Sequence, residues 1–252
     1  MKDIVSMVKM STSDMVVALK EAGFSDGSLA SRNIEDLRLY HPEFSEKLPL
    51  IIELAIDSPN PDSSLSFMER FMAAGKEAGV NVEKVTGNLP LFIKLFGSSE
   101  FLSSILIRRP LNAMELISSP YLQIEKPLAV MKLELEGMMA GISNYDGLLS
   151  VLRLYKQKEM LRVGCRDLLG YGALEEITSE LSSLASAALD TAYRFCLNLL
   201  KISYGKPYYR DETGALKEST FVVLGMGKLG GNELNFSSDI DLIYLYQSDE
   251  GE

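Results

Sequence analysis

Two aspartates separated by one residue, Asp239 and Asp241, are the residues of this sequence best suited to chemistry. They follow the glycine-rich run GMGKLGGNELNFSS (225–238) and open the apolar segment DIDLIYLY (239–246). On an extended strand, such residues face the same side, with Cα atoms roughly 7 Å apart. Carboxylate oxygens are ligands that Mg²⁺ prefers, and paired Mg²⁺ ions clamp the attacking and leaving oxygens of a phosphoryl-type displacement. The aspartates therefore predict a Mg²⁺ site for nucleotidyl transfer, with both acting as metal ligands and catalytic residues.

The glycine-rich run supplies the groups expected to hold phosphate. Gly230 and Gly231 have no side chains to obstruct a phosphate, so their backbone amides are predicted to donate hydrogen bonds to it. Ser238 offers a hydroxyl, and Lys228 offers a positive charge that either neutralises phosphate or forms a structural ion pair. Small residues in a turn, followed by Asp-x-Asp on the next strand, are typical of the polymerase-β-like nucleotidyltransferases.

Two other glycine-loop chemistries fit the spacing poorly. The pattern Gly225-x-Gly227-x-x-Gly230 matches a dinucleotide fingerprint, but only about seven residues separate Gly231 from Asp239. A crossover helix between parallel strands needs roughly a dozen residues, so we expect an antiparallel return instead. A nucleoside-triphosphate P-loop needs Ser or Thr directly after its lysine, whereas Leu229 follows Lys228.

The elements that position these residues divide the sequence in two. Residues 1–204 read as successive helices, and residues 205–252 as the beginning of a nucleotidyltransferase domain. We predict a long amphipathic helix over 173–202 and shorter helices around 66–74, 89–96 and 98–109. Their expected boundaries are a Ser66/Glu69 capping box with Gly79 as stop, Gly97 as stop, and Ser98 or Ser99 as cap with Pro110 as stop.

After Tyr204 the composition changes to one that favours loops and strands. Residues 205–219 read as a loop or a small hairpin, and strands are predicted over 221–224 and 239–246. The fold class is thus mainly α, leading into an α+β core of which only the first two antiparallel strands are present. Two strands do not make an independent sheet domain, so we expect a domain that is incomplete in this chain.

Composition excludes several functions. A net charge of −10 disfavours nucleic acid as a partner, and no apolar run reaches the 18 or so residues of a membrane helix. No secretory signal is evident, so we expect a cytoplasmic protein. His41 is the single histidine, which argues against histidine-based triads and zinc sites. Cys165 and Cys196 are expected to be buried thiols.

Two long segments resemble one enzyme family. FVVLGMGKLGGNELNFSSDIDLIYLY (221–246) is similar to the nucleotidyltransferase signature of the glutamine synthetase adenylyltransferase family, and LRLYKQKEMLRVGCRDLLGYGALEEITSELSSLA (152–185) resembles its preceding helical segment. The resemblance covers roughly residues 88–252. In the second segment Lys158, Arg162 and Arg166 form an i, i+4, i+8 stripe, which is either a solvated helix face or a surface for phosphate or partner contact.

The family resemblance implies a function and partners. Its members carry two nucleotidyltransferase units, one removing AMP from a tyrosine of glutamine synthetase by phosphorolysis to give ADP, the other attaching AMP from ATP. The form SSDIDLIYLY and the long helical preface are similar to the first, adenylyl-removing unit. The resemblance carries the role of Mg²⁺ ligand onto Asp239 and Asp241, and implies docking surfaces for glutamine synthetase and PII-type signalling proteins.

One departure from the family pattern bears on activity. Nucleotidyltransferases of this type place a third carboxylate on a later strand, and this chain has no such strand, so we expect the 252-residue chain alone to be inactive. Three alternatives stay open. They are the AMP-attaching half, a helical regulatory or protein-binding module whose Asp-x-Asp is inert, and a small-molecule nucleotidyltransferase.

Overall fold

The computed structural model describes residues 4–249, which are mainly helical and carry four short strands. Short 3₁₀ helices cover Pro42–Lys47 and Pro120–Leu122. The α-helices in this part of the chain are α1 (Ile4–Met7), α2 (Thr12–Glu21), α3 (Gly27–Tyr40), α4 (Leu48–Ile56), α5 (Pro61–Ala78), α6 (Val82–Thr86), α7 (Leu89–Ser98), α8 (Glu100–Arg108), α9 (Asn112–Ser118), α10 (Leu128–Met138), α11 (Tyr145–Leu169), α12 (Leu174–Tyr204) and α13 (Gly227–Gly230).

Helix α5 corrects the predicted capping box at Ser66 and Glu69. The helix begins five residues earlier, where the side chain of Asn60 accepts a hydrogen bond from the Ser63 amide and Pro61 occupies the first turn. An Asn cap followed by proline supplies a complete start signal, so Ser66 lies inside the helix. Gly79 ends α5 in the left-handed conformation, with φ of 76°, as predicted.

The boundary between α7 and α8 shows why Gly97 is not a stop. Gly97 lies in the last turn of α7, where a Cβ atom would collide with the hydroxyls of Ser58 and Ser64. The glycine is therefore needed for close packing rather than for termination. Ser99 is the cap of α8, because its hydroxyl accepts from the Leu102 amide.

The described residues form two compact units, and the division does not follow the change from helix to strand. The first unit contains the residues up to Gln123 together with Gly164–Tyr171. Its core includes an aromatic cluster in which the ring of Phe71 lies 5.4 Å from that of Phe92 and 5.6 Å from that of Phe96. Cys165 belongs to this unit and is buried.

The second unit contains Ile124–Val163 and the residues from Gly172 onward. Helices α10, α11 and α12 bury an apolar core here, which also takes in Leu234 from the segment before the last strand. Helix α12 covers the predicted long helix and extends it to Tyr204. Cys196 is only half-buried on α12, so the expectation of two buried thiols is wrong for this residue.

The second unit contains a buried ionic cluster. Its contacts change the interpretation of Lys158, Arg162 and Arg166 as a basic stripe on one helix face. Arg162 is 3% exposed and bonds to Glu159 and Glu180 at 2.7 and 2.8 Å, both carboxylates being fully buried. The Lys126 ammonium lies 2.6 Å from Glu159, and its backbone amide donates to Glu180 at 2.8 Å. Arg166 is also buried, at 0% exposure. Lys158, Arg162 and Arg166 are therefore not one solvated face, because tertiary packing takes two of them into the interior.

Two antiparallel hairpins contain the strands. Strands β1 (Tyr208–Arg210) and β2 (Leu216–Glu218) form one of them. Of the two possibilities predicted for residues 205–219, a loop or a small hairpin, this is the hairpin. Strands β3 (Phe221–Gly225) and β4 (Leu242–Tyr246) form the other, with Phe221 opposite Tyr246 and Gly225 opposite Leu242. The predicted antiparallel return is confirmed. The last strand begins at Leu242 and not at residue 239, so both aspartates precede it.

Two further sequence-based expectations concern the single histidine and membrane-spanning helices. His41 is 4% exposed, and burial lowers the pKa of its imidazole despite the nearby Glu43 carboxylate. Over residues 4–249, no helix combines the length and apolarity that a membrane crossing requires.

Candidate functional site

The glycine-rich run after β3 forms the single helical turn α13. Gly227 begins it with φ of +52°, a value that favours glycine. Gly230 lies so close to β3 that a Cβ atom would come within 2.6 Å of the Gly225 carbonyl oxygen. These two glycines therefore let the turn fold back tightly against the end of the strand.

The predicted role of the Gly230 and Gly231 amides does not match their hydrogen bonds. The Gly230 amide donates to the Met226 carbonyl at 3.1 Å, and the Gly231 amide donates to the Gly227 carbonyl at 3.0 Å. Both donors are occupied because the run is helical here and not an open turn. Gly230 and Gly231 are exposed, so the bare backbone at this position remains accessible from solvent.

The segment after α13 is fixed to helix α12 by two serines. The side-chain amide of Asn232, which has φ of +58°, donates to the Ser179 hydroxyl at 3.0 Å. The backbone amide of Leu234 donates to the buried Ser182 hydroxyl, also at 3.0 Å. Leu234 itself is buried in the helical core. The chain therefore leaves α13 along a fixed path toward the two aspartates.

Asn235 organises the turn that carries Ser238. Its side-chain oxygen accepts from the Ser237 amide at 3.2 Å and from the Ser238 hydroxyl at 2.7 Å. Ser238 is half-buried, so its predicted oxygen contact to substrate would require this hydroxyl to keep or exchange its bond to Asn235. A side-chain oxygen that mimics a backbone turn in this way is common for asparagine.

Asp239 and Asp241 lie directly before β4, and both are exposed. The Asp241 carbonyl accepts a 2.9 Å hydrogen bond from the Met226 amide, so its backbone continues the pairing of β3 with β4 by one step. Among residues 4–249, neither carboxylate has a hydrogen-bond or ion-pair partner. Two acids at the mouth of a strand and beside a glycine turn are thus available to a cation.

The donor set fits Mg²⁺ in part. No group of three or more His, Cys, Asp or Glu side chains within the described residues is arranged to hold a metal ion. Mg²⁺ commonly takes one or two carboxylates, several waters and the oxygens of a substrate phosphate. Two carboxylates, those of Asp239 and Asp241, fall within that range of protein ligands.

Lys228 is exposed on α13. Within the part of the chain that the structure describes, its ammonium makes no ion pair. The positive charge beside the glycine turn is available to an anion.

An elongated groove of about 600 Å³ opens beside Asp239 in the second unit. Residues of α11, of α12 and of the segment 234–240 line it, and Ser238 and Asp239 are among them. Two exposed cations of α11, Arg153 and Lys156, also line it. The apolar lining residues are Leu149, Leu152, Met160, Leu181, Leu184, Ala185, Ala188, Leu189, Ala192, Leu234, Phe236 and Ile240.

Sequence reasoning missed the groove and the anchoring serines. Arg153 and Lys156 were recognisable as basic residues, but only tertiary packing separates them from the buried Arg162 and Arg166. Ser182 lies on the inner face of an amphipathic helix, where a polar residue among Leu181 and Leu184 signals a buried hydrogen bond. That signal identifies the serine but not its partner Leu234, 52 residues later.

Comparison with known proteins covers most of the chain. A relative from Thioalkalivibrio sulfidiphilus is 38% identical over 61% of this chain and 16% of its own length. One from Nitrosococcus oceani is 37% identical over 71% and 18%, and one from Chromobacterium violaceum is 28% identical over 92% and 26%. Each is named "Bifunctional glutamine synthetase adenylyltransferase/adenylyl-removing enzyme". This chain therefore spans about a quarter or less of the length of these relatives.

The family assignment follows from a match over the second part of the chain. A sequence model described as "Glutamate-ammonia ligase adenylyltransferase" matches residues 89–252, in agreement with the resemblance from about residue 88. The matched region contains α7 to α13, all four strands, both aspartates and the groove. This chain belongs to the glutamate-ammonia ligase adenylyltransferase family.

Proposed function

We propose that this chain supplies the metal-binding part of a Mg²⁺-dependent nucleotidyltransferase site that removes AMP from a tyrosine of glutamine synthetase. The observation that carries the proposal is the position of Asp239 and Asp241. Both residues are exposed and lie directly before β4, next to the turn α13. Family membership and the names of the relatives support nucleotidyl transfer on glutamine synthetase as the reaction.

The proposed reaction is phosphorolysis. An oxygen of inorganic phosphate attacks the phosphorus of the tyrosyl-AMP group, the bond from phosphorus to the tyrosine oxygen breaks, and that oxygen takes up a proton. The products are ADP and unmodified tyrosine. Bound Mg²⁺ would withdraw charge from the phosphoryl oxygens and so stabilise the transition state.

The residues of this chain have distinct tasks in that scheme. Asp239 and Asp241 hold the cation, and exposed Lys228 adds a positive charge for phosphate. Gly230 and Gly231 add no side chain that would obstruct phosphate beside α13, but their own amides are bonded within the turn and do not hold it. Ser238 offers its oxygen beside Asp239, held in place by Asn235.

We also propose that the isolated chain is inactive. The site has two carboxylates, whereas a third is expected from a later strand of such an enzyme, and residues 4–249 contain no group of three acids suited to a metal. PII-type signalling protein is proposed as a partner of the whole protein, together with phosphate and ADP or ATP.

Product analysis of the full-length protein tests this function. With adenylylated glutamine synthetase, Mg²⁺ and phosphate, the adenylyl-removing assignment predicts release of ADP that depends on phosphate and on Asp239. To isolate this half, the assay uses protein in which the other nucleotidyltransferase unit is inactivated. If this half instead attaches AMP from ATP with release of pyrophosphate, the removing assignment is wrong. If neither reaction depends on Asp239, the chain is a regulatory or protein-binding module.

A further inference from the structure

We infer that the groove between α11 and α12 is the seat for the segment of the protein substrate that carries the modified side chain. The inference rests on the proposed function, because it takes glutamine synthetase as the substrate. The groove would therefore dock the protein substrate.

The shape of the groove favours a polypeptide segment. Its lining runs from Leu149 to Met160 on α11 and from Leu181 to Ala192 on α12. At 1.5 Å per residue, each helix contributes a wall about 16 Å long. This length matches about three turns of helix or a short extended strand, whereas a nucleotide base would need only a fraction of it.

The side chains that line the groove indicate which kind of segment it can bind. The lining is mainly apolar and includes the small side chains of Ala185, Ala188 and Ala192, which leave room for larger apolar side chains of a partner. Apolar grooves of this kind bind segments that present side chains on one face. The occupant is therefore expected to bury aliphatic or aromatic side chains.

The charged residues of the groove indicate which groups of the bound segment lie next to its apolar side chains. Arg153 and Lys156 are exposed at the groove and have no ion-pair partner among residues 4–249. The lining carries these two cations against the single carboxylate of Asp239, so in a chain of net charge −10 it has a local excess of positive charge. Complementarity then predicts acidic groups on the occupant, next to its apolar side chains.

The position of the groove links docking to chemistry. Ser238 and Asp239 belong to its lining, so a segment bound between α11 and α12 lies beside the proposed metal ligand. The Ser182 and Asn235 hydrogen bonds hold this part of the lining in place.

Steady-state kinetics of the full-length protein test the inference with a charge-reversed variant, Arg153→Glu/Lys156→Glu. We expect the KM for adenylylated glutamine synthetase to rise at least about tenfold, because like charges now face each other, while kcat and the KM for phosphate change less than about twofold. The matched control is Lys94→Glu/Arg109→Glu, which makes the same change in net charge at exposed residues that do not line the groove. It should leave all three constants unchanged.

A second variant addresses the apolar lining. Ala188→Glu places a carboxylate among the aliphatic side chains and should also raise the KM for the protein substrate, whereas Ser183→Glu, outside the groove lining, should not. Circular dichroism of each variant checks that the helices are retained.

The outcomes separate this inference from the proposed function. An unchanged KM for the protein substrate in both groove variants overturns the docking role. A raised KM for phosphate alone identifies the groove as a phosphate or nucleotide seat and also overturns it. If Asp239→Asn leaves turnover intact, the proposed function itself fails. Loss of turnover in Asp239→Asn with unaffected groove variants leaves the proposed function standing without the docking seat.

Discussion

The buried hydroxyl of Ser182 accepts a 3.0 Å hydrogen bond from the backbone amide of Leu234 and donates a 2.8 Å bond to the Thr178 carbonyl. This pair connects helix α12 to the segment that leads from the glycine turn to the aspartates. The path of that segment is therefore determined by a side chain 52 positions earlier in the sequence. The Ser179 bond to Asn232 strengthens the same connection one helical turn away.

Replacement of Ser182 by alanine should destabilise the second unit. The variant leaves the buried Leu234 amide without its acceptor, which costs about 1–3 kcal/mol. Chemical denaturation measures the difference in the free energy of unfolding. Ser183→Ala is the matched control on the same helix, and its effect should stay within about 0.5 kcal/mol. Equal effects of the two changes would show that the Leu234 bond contributes nothing specific.

Replacement of Glu159 by glutamine should have a larger effect. Glu159 is fully buried and faces both Lys126 and Arg162, so the change leaves an excess of buried positive charge. Removal of one partner from a buried ion pair costs about 3–5 kcal/mol. Glu136→Gln, an exposed change of the same type on α10, should alter the free energy of unfolding by less than about 0.5 kcal/mol. A small effect at Glu159 would mean that water reaches the cluster.

The contribution of Glu134 should depend on pH. Burial would raise the pKa of this carboxyl, but hydrogen bonds from Lys126 and Tyr155 outweigh burial and lower the pKa below its ordinary value of 4.5. A lowered pKa means that the ionised form stabilises the fold above the unfolded pKa, and that this stabilisation is lost as pH falls through the folded value. The difference in stability between the native chain and Glu134→Gln should be greatest near neutral pH and shrink below about pH 4.5. A difference that grows on acidification would contradict the assigned bonds.

The two thiols should differ in reactivity. Burial raises the pKa of Cys165 to about 12, and this residue is 1% exposed, whereas Cys196 is half-buried. Because thiolate is the reactive form, a thiol reagent at pH 8 should modify one cysteine in the native chain and two after denaturation. Mass spectrometry of peptides should place the native modification on Cys196. Rapid labelling of Cys165 would show that the first unit opens readily.

Local signals predicted much of the fold. The long amphipathic pattern predicted α12, and Gly79 and Ser99 mark helix ends because glycine and serine meet specific backbone needs there. The antiparallel return followed from the number of residues between Gly231 and Asp239. In each case the deciding physics lies within one continuous stretch of sequence.

Features that depend on tertiary packing were not predictable in the same way. Gly97 resembles a stop, but the hydroxyls of Ser58 and Ser64, far away in sequence, require a glycine inside α7. From its spacing in the sequence, Arg162 fits a surface stripe, but in the structure it pairs with Glu180 of the next helix. The amides of Gly230 and Gly231 were expected to be open, but the run closes into a helical turn.

The candidate site shows the same division. The type and spacing of Asp239 and Asp241 predicted paired acids within the first residues of the last strand, whereas the structure places both directly before that strand, exposed and without partners among residues 4–249. The groove beside them required the packing of α11 against α12. The sequence therefore identifies the residues of the proposed site but not the surface that would bring a substrate to it.

The most direct measurement is the turnover of the full-length protein after replacement of the two acids. With adenylylated glutamine synthetase, phosphate and Mg²⁺, Asp239→Asn and Asp241→Asn should each reduce phosphate-dependent ADP release by at least about a hundredfold, since a metal ligand that loses its charge no longer supports the transition state. Glu212→Gln, a charge-matched change at an exposed residue of the first hairpin, should leave the rate unchanged. Wild-type rates in both aspartate variants would contradict the account.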